Sequence, residues 1–268
     1  MFEEPYRWVE AVGNRRQYLD EQFQQGSPVV ALSYAEGILL LTVSRATPKL
    51  YEIYDRIGLG GMGHPADLEK LRFNLLEMAH VEGFNRSPSD VTGSRMVKYG
   101  LAPVIKQAFE EVYKAPFIVK ILLAELGTKR ERDTFLTINY DGTFDESKGG
   151  AAIAATPAAQ AEVMNSLRKN PGVAAVLSLA TDAALRAWAI GSLAQRREKE
   201  ETEDRKDSSQ PSSVDAAAIE RHLRETLADK TIECAVLERT APGSSKYRPI
   251  KSDELKRLLP TFLETPTQ

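Results

Sequence analysis

The chain has few of the residues that build disulfides, redox centres and metal sites. It contains one cysteine and three histidines in 268 residues. A single thiol excludes an internal disulfide and a cysteine-based zinc cluster, and Cys234, inside an apolar run, is expected to be a buried small hydrophobic residue. His64, His80 and His222 have no spacing typical of paired metal ligands, so we expect solvated or capping histidines, no metal and no cofactor.

The sequence also lacks an excess of charge and any long hydrophobic run. Lys and Arg number 35 and Asp and Glu number 38, which gives a net charge of −3. Nucleic-acid binders usually carry a basic face, so we expect no nucleic-acid partner. No apolar stretch approaches the length of a membrane span, and the start, with Glu3 and Glu4, has no apolar signal segment. We therefore expect no membrane association and a cytoplasmic location.

Residues 26–63 are the most β-rich part of the chain. Short polar or glycine-containing breaks divide this stretch into four runs rich in Val, Leu and Ile, and the pattern predicts a buried strand meander. The four predicted strands are residues 28–34, 37–43, 49–53 and 57–60.

The rest of the chain alternates between helical and strand patterns. Gly83 is expected to end the first long helix, and Pro103 to kink the second. A strand near residues 150–154 is expected to be the last strand of the sheet that contains the two strands before it. The predicted helices are 8–25, 64–81, 87–112, 157–169, 178–195, 216–227 and 253–259, and the remaining predicted strands are 117–126, 133–140, 150–154, 231–239 and 247–250.

Residues 196–213 contain no apolar residue. Such a composition buries too little surface to offset the entropy lost on ordering, so we expect a flexible, solvated insertion, with a charged interaction segment as the alternative. Strands in two groups with helices between them predict the α+β class and a four-layer α/β/β/α sandwich. We assign this domain to residues 26–259, with an N-terminal segment and helix at 1–25 and a tail at 260–268.

Five short motifs, in this order, carry a family resemblance. They are Ser27–Tyr34 (SPVVALSY), Tyr51–Gly58 (YEIYDRIG), Asp90–Gly93 (DVTG), Ile138–Thr143 (INYDGT) and Glu233–Leu237 (ECAVL). Together they resemble the α-type subunits of actinobacterial proteasome cores. The resemblance implies the N-terminal-nucleophile hydrolase fold and a homo-heptameric ring that caps proteasome β subunits. It also implies a non-catalytic subunit that controls substrate entry and docks a hexameric ATPase, with protein substrates that commonly carry a ubiquitin-like tag.

The same resemblance places Ser27 at the nucleophile position of β-type subunits and Lys49 at the catalytic lysine position. An N-terminal nucleophile needs a free chain start and a base for its proton. Val43 stands where the family has its catalytic acid, and Pro28 removes a backbone donor directly after Ser27. We therefore expect no catalytic residue. A self-processing hydrolase that uses Ser27 is the alternative, and a ring-forming scaffold without a proteolytic partner is a third hypothesis.

In α-type subunits the lysine that matches Lys49 receives the C-terminal carboxylate of a docked activator. A compact ammonium suits a lone carboxylate, and Gly63 matches a glycine whose backbone approaches the same terminus. The resemblance therefore implies an activator-binding pocket with Lys49 and Gly63. The alternative for Lys49 is a solvated strand lysine.

The N-termini of α-type subunits converge at the axial pore. On this resemblance Phe2, Pro5 and Tyr6 are the expected gate residues, with a frayed tail as the alternative. The loop 113–116 is expected near the pore rim.

Overall fold

The computed structural model describes residues 5–45, 47–111, 113–169, 176–203 and 215–263. The helices are α1 (Pro5–Phe23), α2 (Pro65–Asn85), α3 (Gly93–Arg95), α4 (Ala102–Glu110), α5 (Pro157–Lys169), α6 (Leu177–Glu203), α7 (Ala216–Leu227) and α8 (Ser252–Leu258). The strands are β1 (Val29–Tyr34), β2 (Gly37–Ser44), β3 (Leu50–Tyr54), β4 (Ile57–Gly63), β5 (Val119–Glu125), β6 (Thr134–Ile138), β7 (Phe144–Ser147), β8 (Gly150–Ile153), β9 (Thr231–Glu238) and β10 (Tyr247–Pro249). No helix in these ranges is long and apolar enough to cross a membrane.

Within the described residues the strands form two five-stranded antiparallel sheets. The first sheet has the order β10-β9-β2-β1-β8 and the second has the order β3-β4-β5-β6-β7. Helices α5 to α8 cover the outer face of the first sheet, and α2 and α4 cover the outer face of the second. The inner faces of both sheets share one apolar layer. The predicted four-layer α/β/β/α sandwich is confirmed.

Burial on both faces explains why the first strands are apolar throughout. In β1, Val30, Leu32 and Tyr34 pack under the helices of the first sheet, whereas Val29 and Ala31 point into the layer between the sheets. Successive side chains of a strand point to opposite faces, so a strand covered on both sides reads as a continuous hydrophobic run. This pattern made β1 and β2 predictable almost to the residue.

The prediction for the strand near 150–154 was wrong about its sheet. β8 lies in the first sheet, where Ile153 pairs with Val29, and the second sheet ends instead with β7. The hairpin turn at Gly142, whose φ is +81°, returns the chain into β7, and the chain then crosses between the sheets. β7 was missed because its FDES sequence is polar and mostly exposed.

Two helix predictions also need correction. α2 continues through Gly83 to Asn85, and a Cβ at Gly83 would lie 2.2 Å from the Tyr54 hydroxyl, so this glycine permits close packing and does not end the helix. α6 extends to Glu203, into the segment expected to be a flexible insertion, and residues 204–213 of that segment lie outside the described residues. An Arg196–Glu200 pair one turn apart, at 2.9 Å, supports this polar end of the helix.

The helix expected over 87–112 is broken into shorter pieces. A 3-10 turn covers Pro88–Asp90, and a π-helical turn, Met96–Leu101, separates α3 from α4. The π turn ends at Leu101, two residues before Pro103, which lies in the first turn of α4 and has no backbone N–H to donate. The helix type changes there, and the kink at Pro103 stays a prediction.

Candidate functional site

A cavity of about 510 Å³ lies where β1 and β3 begin. Ser27 lies just before β1, Val43 near the end of β2 and Lys49 just before β3, and all three line this cavity. Trp188 from α6 forms part of its wall. The fold therefore brings together the three positions that the sequence singled out for a hydrolase centre.

The Ser27 hydroxyl serves as a hydrogen-bond acceptor. Trp188 Nε1 donates to Ser27 Oγ at 3.0 Å. The Gln195 amide, oriented to donate to Gly26 O at 3.2 Å and to accept from Ala155 N at 2.5 Å, fixes the preceding peptide against α6. Val43 contributes only an aliphatic side chain. No carboxylate among the described lining residues is available to orient a base beside Ser27.

Lys49 directly precedes β3, and its backbone N–H donates to a carboxylate from the other sheet. Its N–H donates to both carboxylate oxygens of Glu233 on β9, at 3.0 and 2.9 Å, and the Leu50 N–H donates to Oε1 at 2.9 Å. Burial raises the pKa of Glu233, although these backbone hydrogen bonds oppose the shift. The Glu233 carboxylate therefore fixes the start of an edge strand.

Partial burial lowers the pKa of the Lys49 ammonium. Glu233 acts in the opposite direction, and the nearby Lys230 lowers the pKa further. Removing an ammonium from water disfavours its charged form, and a bound anion restores the balance. Lys49 is thus a partly desolvated cation at the wall of a cavity, which differs from the fully solvated strand lysine that was the alternative.

Gly63 does not line this cavity, although Pro65, two residues later, does. Its φ is +130°, and a Cβ would lie 2.0 Å from the Ile118 carbonyl oxygen. The backbone of the β4 end therefore requires glycine whether or not a ligand binds. Its role in a pocket stays a prediction.

Of the expected gate residues, Phe2 lies outside the described residues, and Pro5 and Tyr6 form the start of α1. The Arg15 guanidinium of α1 donates to the carbonyls of Phe109 at 2.8 Å, Glu111 at 2.7 Å and Lys114 at 2.9 Å. The guanidinium supplies hydrogen-bond donors to the free carbonyl groups at the end of α4 and at the start of the loop 113–116. Arg15 therefore joins α1 to the loop that was expected at the pore rim.

The inner face of α1 is fixed to the sandwich at several points. Leu19 and Phe23 are fully buried in the layer between the sheets. The buried Lys120 ammonium donates to Ala154 O at 3.0 Å and Ala155 O at 2.7 Å, and it lies 5.0 Å from the centre of the Phe23 ring. Burial lowers the pKa of Lys120 to about 8. α1 is thus an integral part of the core.

The histidines behave as expected in part. His64 Nδ1 accepts from Ala66 N at 3.2 Å and caps α2, and the exposed His80 ring meets Tyr54 edge-on. His222 is buried, stacks on Trp188 and hydrogen-bonds to Ser192 at 2.9 Å, so its expected solvation was wrong. Among the described residues no group of His, Cys, Asp and Glu is arranged to hold a metal ion.

Sequence reasoning missed most of the cations around the cavity. Besides Lys49, the lining includes Arg45, Arg196, Lys199 and Lys230. These positions belong to loop and helix segments far apart in sequence, and each is an ordinary polar residue in its local pattern. Glu233 offered a weak signal, because it is a charged residue within an otherwise apolar strand.

Comparisons with known proteins agree with this architecture. The model of the family described as proteasome subunit matches residues 23–196. The proteasome subunit alpha of Actinosynnema mirum is 29% identical over 249 residues, which are 92% of this chain and 83% of that protein. The proteasome subunit alpha of Streptomyces griseus is 28% identical over 260 residues, covering 94% of this chain and 82% of that protein.

A shorter and more similar match covers half of the chain. The proteasome subunit alpha of Streptosporangium roseum is 35% identical over 137 residues, which are 50% of this chain and 52% of that protein. The match of the family model, the four-layer sandwich and the named relatives agree with one another. This chain belongs to the proteasome subunit family, among the α-type subunits of bacteria.

Proposed function

We propose that this chain is a non-catalytic subunit of a homo-heptameric α ring, which controls entry of protein substrates into a proteasome core and docks a hexameric ATPase. The observation that carries the docking function is Lys49, a partly desolvated ammonium at a cavity wall. The carboxylate nearest to its backbone, Glu233, is occupied by the N–H groups of Lys49 and Leu50. The C-terminal carboxylate of a partner is a suitable counter-charge for such an ammonium.

The surroundings of Ser27 support the non-catalytic function. Its Oγ accepts from Trp188, and the residue at the acid position is Val43. An N-terminal nucleophile would also require cleavage before Ser27, and that cleavage would separate the buried Leu19 and Phe23 from the chain that buries them. Activating Ser27 would thus remove part of the core.

Exposed apolar side chains support assembly with other subunits. Phe73, Val81 and Phe84 on α2 are 61%, 53% and 91% exposed, and Tyr99 on the neighbouring π turn is 67% exposed. Adjacent exposed hydrophobic residues are typical of protein–protein interfaces. This surface suits a permanent partner such as a β subunit. The contact of Arg15 of α1 with the loop 113–116 suits a gate at the axial pore.

The test compares two activities of the assembled core, ATP-dependent degradation of a folded protein and cleavage of a small fluorogenic peptide. The Lys49→Ala variant should lose ATPase-stimulated degradation and keep most of the small-peptide cleavage. The ATPase needs the docking lysine, whereas the β subunits that cut the peptide do not. The exposed Lys129, in the turn after β5, provides a matched control, because Lys129→Ala should change neither activity.

Equal loss of both activities in Lys49→Ala would show an assembly defect and contradict the docking function. Retention of both would show that Lys49 binds no activator. Removal of the first residues up to Tyr6 should raise small-peptide cleavage in the absence of the ATPase if this segment forms a gate. Unchanged cleavage would contradict the gate.

A further inference from the structure

The segment that leaves α1 forms part of the wall of the cavity beside Lys49. α1 ends at Phe23, and Gln24, Gln25 and Gly26 line the cavity. The Gly26 N–H donates to the carbonyl of Phe23 at 2.7 Å, which folds this segment against the end of the helix. A Cβ at Gly26 would lie 2.9 Å from the same carbonyl oxygen, so the turn has no room for a side chain. This wall is therefore continuous with the end of α1.

A second connection between the cavity wall and α1 runs through the core. Gln195 lines the cavity, and its amide donates to Gly26 O at 3.2 Å and accepts from Ala155 N at 2.5 Å. The Ala155 carbonyl accepts from the Lys120 ammonium at 2.7 Å, and that ammonium lies 5.0 Å from the centre of the Phe23 ring. We call these five residues the Lys120 network. Its contacts lead from the cavity wall back to the end of α1.

Lys120 brings a charge into the core at the centre of this network. Only 5% of Lys120 is exposed, and in the part of the chain that the structure describes its ammonium forms no ion pair. Asp20 and Asp141 favour its charged form from beyond ion-pair distance, and its direct contacts are two backbone carbonyls and two aromatic rings. A buried charge is weak evidence for stability, whereas it can select one arrangement of the groups around it. Its contacts thus hold Phe23 and the Ala155 peptide in one relative position.

α1 extends from this network toward the residues that were expected to form a gate. The helix has 19 residues, and at a rise of about 1.5 Å per residue it is about 28 Å long. Its first residues are Pro5 and Tyr6, and between the two ends Arg15 donates to the carbonyl of Lys114 at 2.9 Å. Because hydrogen bonds join consecutive turns, a shift of the last turn is carried along the helix.

We propose that Lys120 and Gln195 are positioning residues that couple the occupancy of the cavity to the position of α1. A ligand in the cavity contacts the segment 24–26 and favours the position of this segment that fits it best. The intact Lys120 network passes that movement to α1, whereas loosened contacts at Phe23 absorb it. This inference rests on the proposed docking function and adds the means by which docking would act on the gate.

The test compares binding and gate opening in the assembled core of this chain and its β subunits. The probe is a synthetic Gly/Ser octapeptide that ends in leucine, made with a free carboxylate and as an amide. Fluorescence anisotropy of the fluorescein-labelled probe measures its affinity, and its stimulation of the cleavage of a small fluorogenic peptide reports the gate. In the wild type the acid should bind more tightly than the amide and should stimulate cleavage.

Lys120→Met keeps the length of the side chain and removes its charge. Maximal stimulation by the acid probe should fall by about fivefold or more, which is the lower end of the usual range of coupling between sites. The affinity for the probe should not fall, because binding in this variant no longer has to displace α1 as well. A purely structural role of Lys120 would instead weaken binding and stimulation together. Lys129→Met, at an exposed position in the turn after β5, should change neither quantity.

Gln195→Leu interrupts the same network at the cavity wall and should also lower maximal stimulation. In the double variant Lys120→Met and Gln195→Leu, stimulation should be no lower than in the more affected single variant, because one interruption already separates the two ends. Losses that multiply in the double variant would show two independent effects and overturn the inference.

The remaining outcomes separate the inference from the proposed function. Full stimulation in Lys120→Met, or wild-type binding without stimulation, would overturn the coupling and leave docking in place. Equal binding of acid and amide by the wild type, or no binding of either, would contradict docking at Lys49, on which the inference rests. If Lys120→Met does not assemble, hydrogen exchange of the wild type supplies the test. The acid probe should change the exchange of amides along α1, and a change confined to residues 24–27 would overturn the inference.

Discussion

Both carboxylate oxygens of Glu233 accept a hydrogen bond from the backbone N–H of Lys49, at 3.0 and 2.9 Å. The two residues belong to different sheets, so this contact fixes the start of β3 against β9. The position of the Lys49 side chain in the cavity depends on this fixed start.

Glu233→Gln should lower the stability of the protein and disturb the proposed docking site at Lys49. A carboxamide has one acceptor oxygen in place of two and presents N–H groups to the N–H groups of Lys49 and Leu50. We expect the free energy of unfolding to fall by about 1–3 kcal/mol, measured by urea denaturation. ATPase-stimulated degradation should fall as well. Glu131→Gln, at an exposed position in the turn between β5 and β6, should change neither quantity, and an equally stable Glu233→Gln variant would contradict this role.

Ser27 should be dispensable for proteolysis. Ser27→Ala removes the acceptor of the Trp188 N–H and should cost about 1 kcal/mol of stability, with peptide cleavage by the assembled core unchanged. The intact mass of the purified protein should include the residues before Ser27. A species that begins at Ser27, or loss of cleavage in Ser27→Ala, would favour the self-processing hydrolase.

The ion pair between Arg239 and Asp133 should contribute more to the stability of the fold than the exposed ion pairs do. Asp133 is fully buried and accepts from Arg239 at 2.9 and 3.1 Å, and its Oδ1 also accepts from Gly127 N at 2.9 Å. Asp133→Asn leaves the mostly buried guanidinium of Arg239 without its charged partner, so we expect a loss of about 3–5 kcal/mol in urea denaturation.

Asp229→Asn is the control for that variant. It breaks the exposed pair with Arg45 and should cost less than about 1 kcal/mol. Similar losses in the two variants would show that burial does not decide the strength of these pairs.

His222 should make the protein less stable below neutral pH. Burial against Trp188 lowers the pKa of His222 from its ordinary value of 6.5. The unfolded chain therefore takes up a proton before the folded chain does, so stability is complete above about pH 6.5 and falls as the pH decreases toward the folded pKa. His222→Gln should flatten the decrease in melting temperature between neutral pH and pH 5.5, and His80→Gln should not. A His222 resonance that titrates at or above 6.5 in NMR would contradict this explanation.

The sequence predicted the strands best where a single requirement, burial on both faces, determines the residue types. The strands β1 and β2 are covered on both faces, so their apolar runs identify them directly. β7 has an exposed polar sequence, and β8 pairs with a strand more than one hundred residues earlier, as in Val29 with Ile153. No local pattern contains that pairing, so the sheet assignment of β8 was wrong.

Of the residues around the cavity, the sequence identified only those at the start of β1 and β3. Lys49 and Ser27 were identified by resemblance, and the structure places both at one cavity. Lys230 and Arg196 reach that cavity only through the folding of distant segments, and the polar sequence around Arg196 indicated a flexible insertion instead of the end of α6. Spacing along the chain therefore could not reveal the basic residues that line the cavity.

The carboxylate that fixes Lys49 comes from a residue 184 positions further along the chain. During synthesis, β3 and the first part of the cavity emerge long before β9 and Lys230 do. Contacts between such distant residues form late, because the intervening loop must close first. A nascent or C-terminally shortened subunit therefore has no complete cavity at Lys49, and a partner that docks there, as we propose, would engage only chains whose sandwich has finished folding.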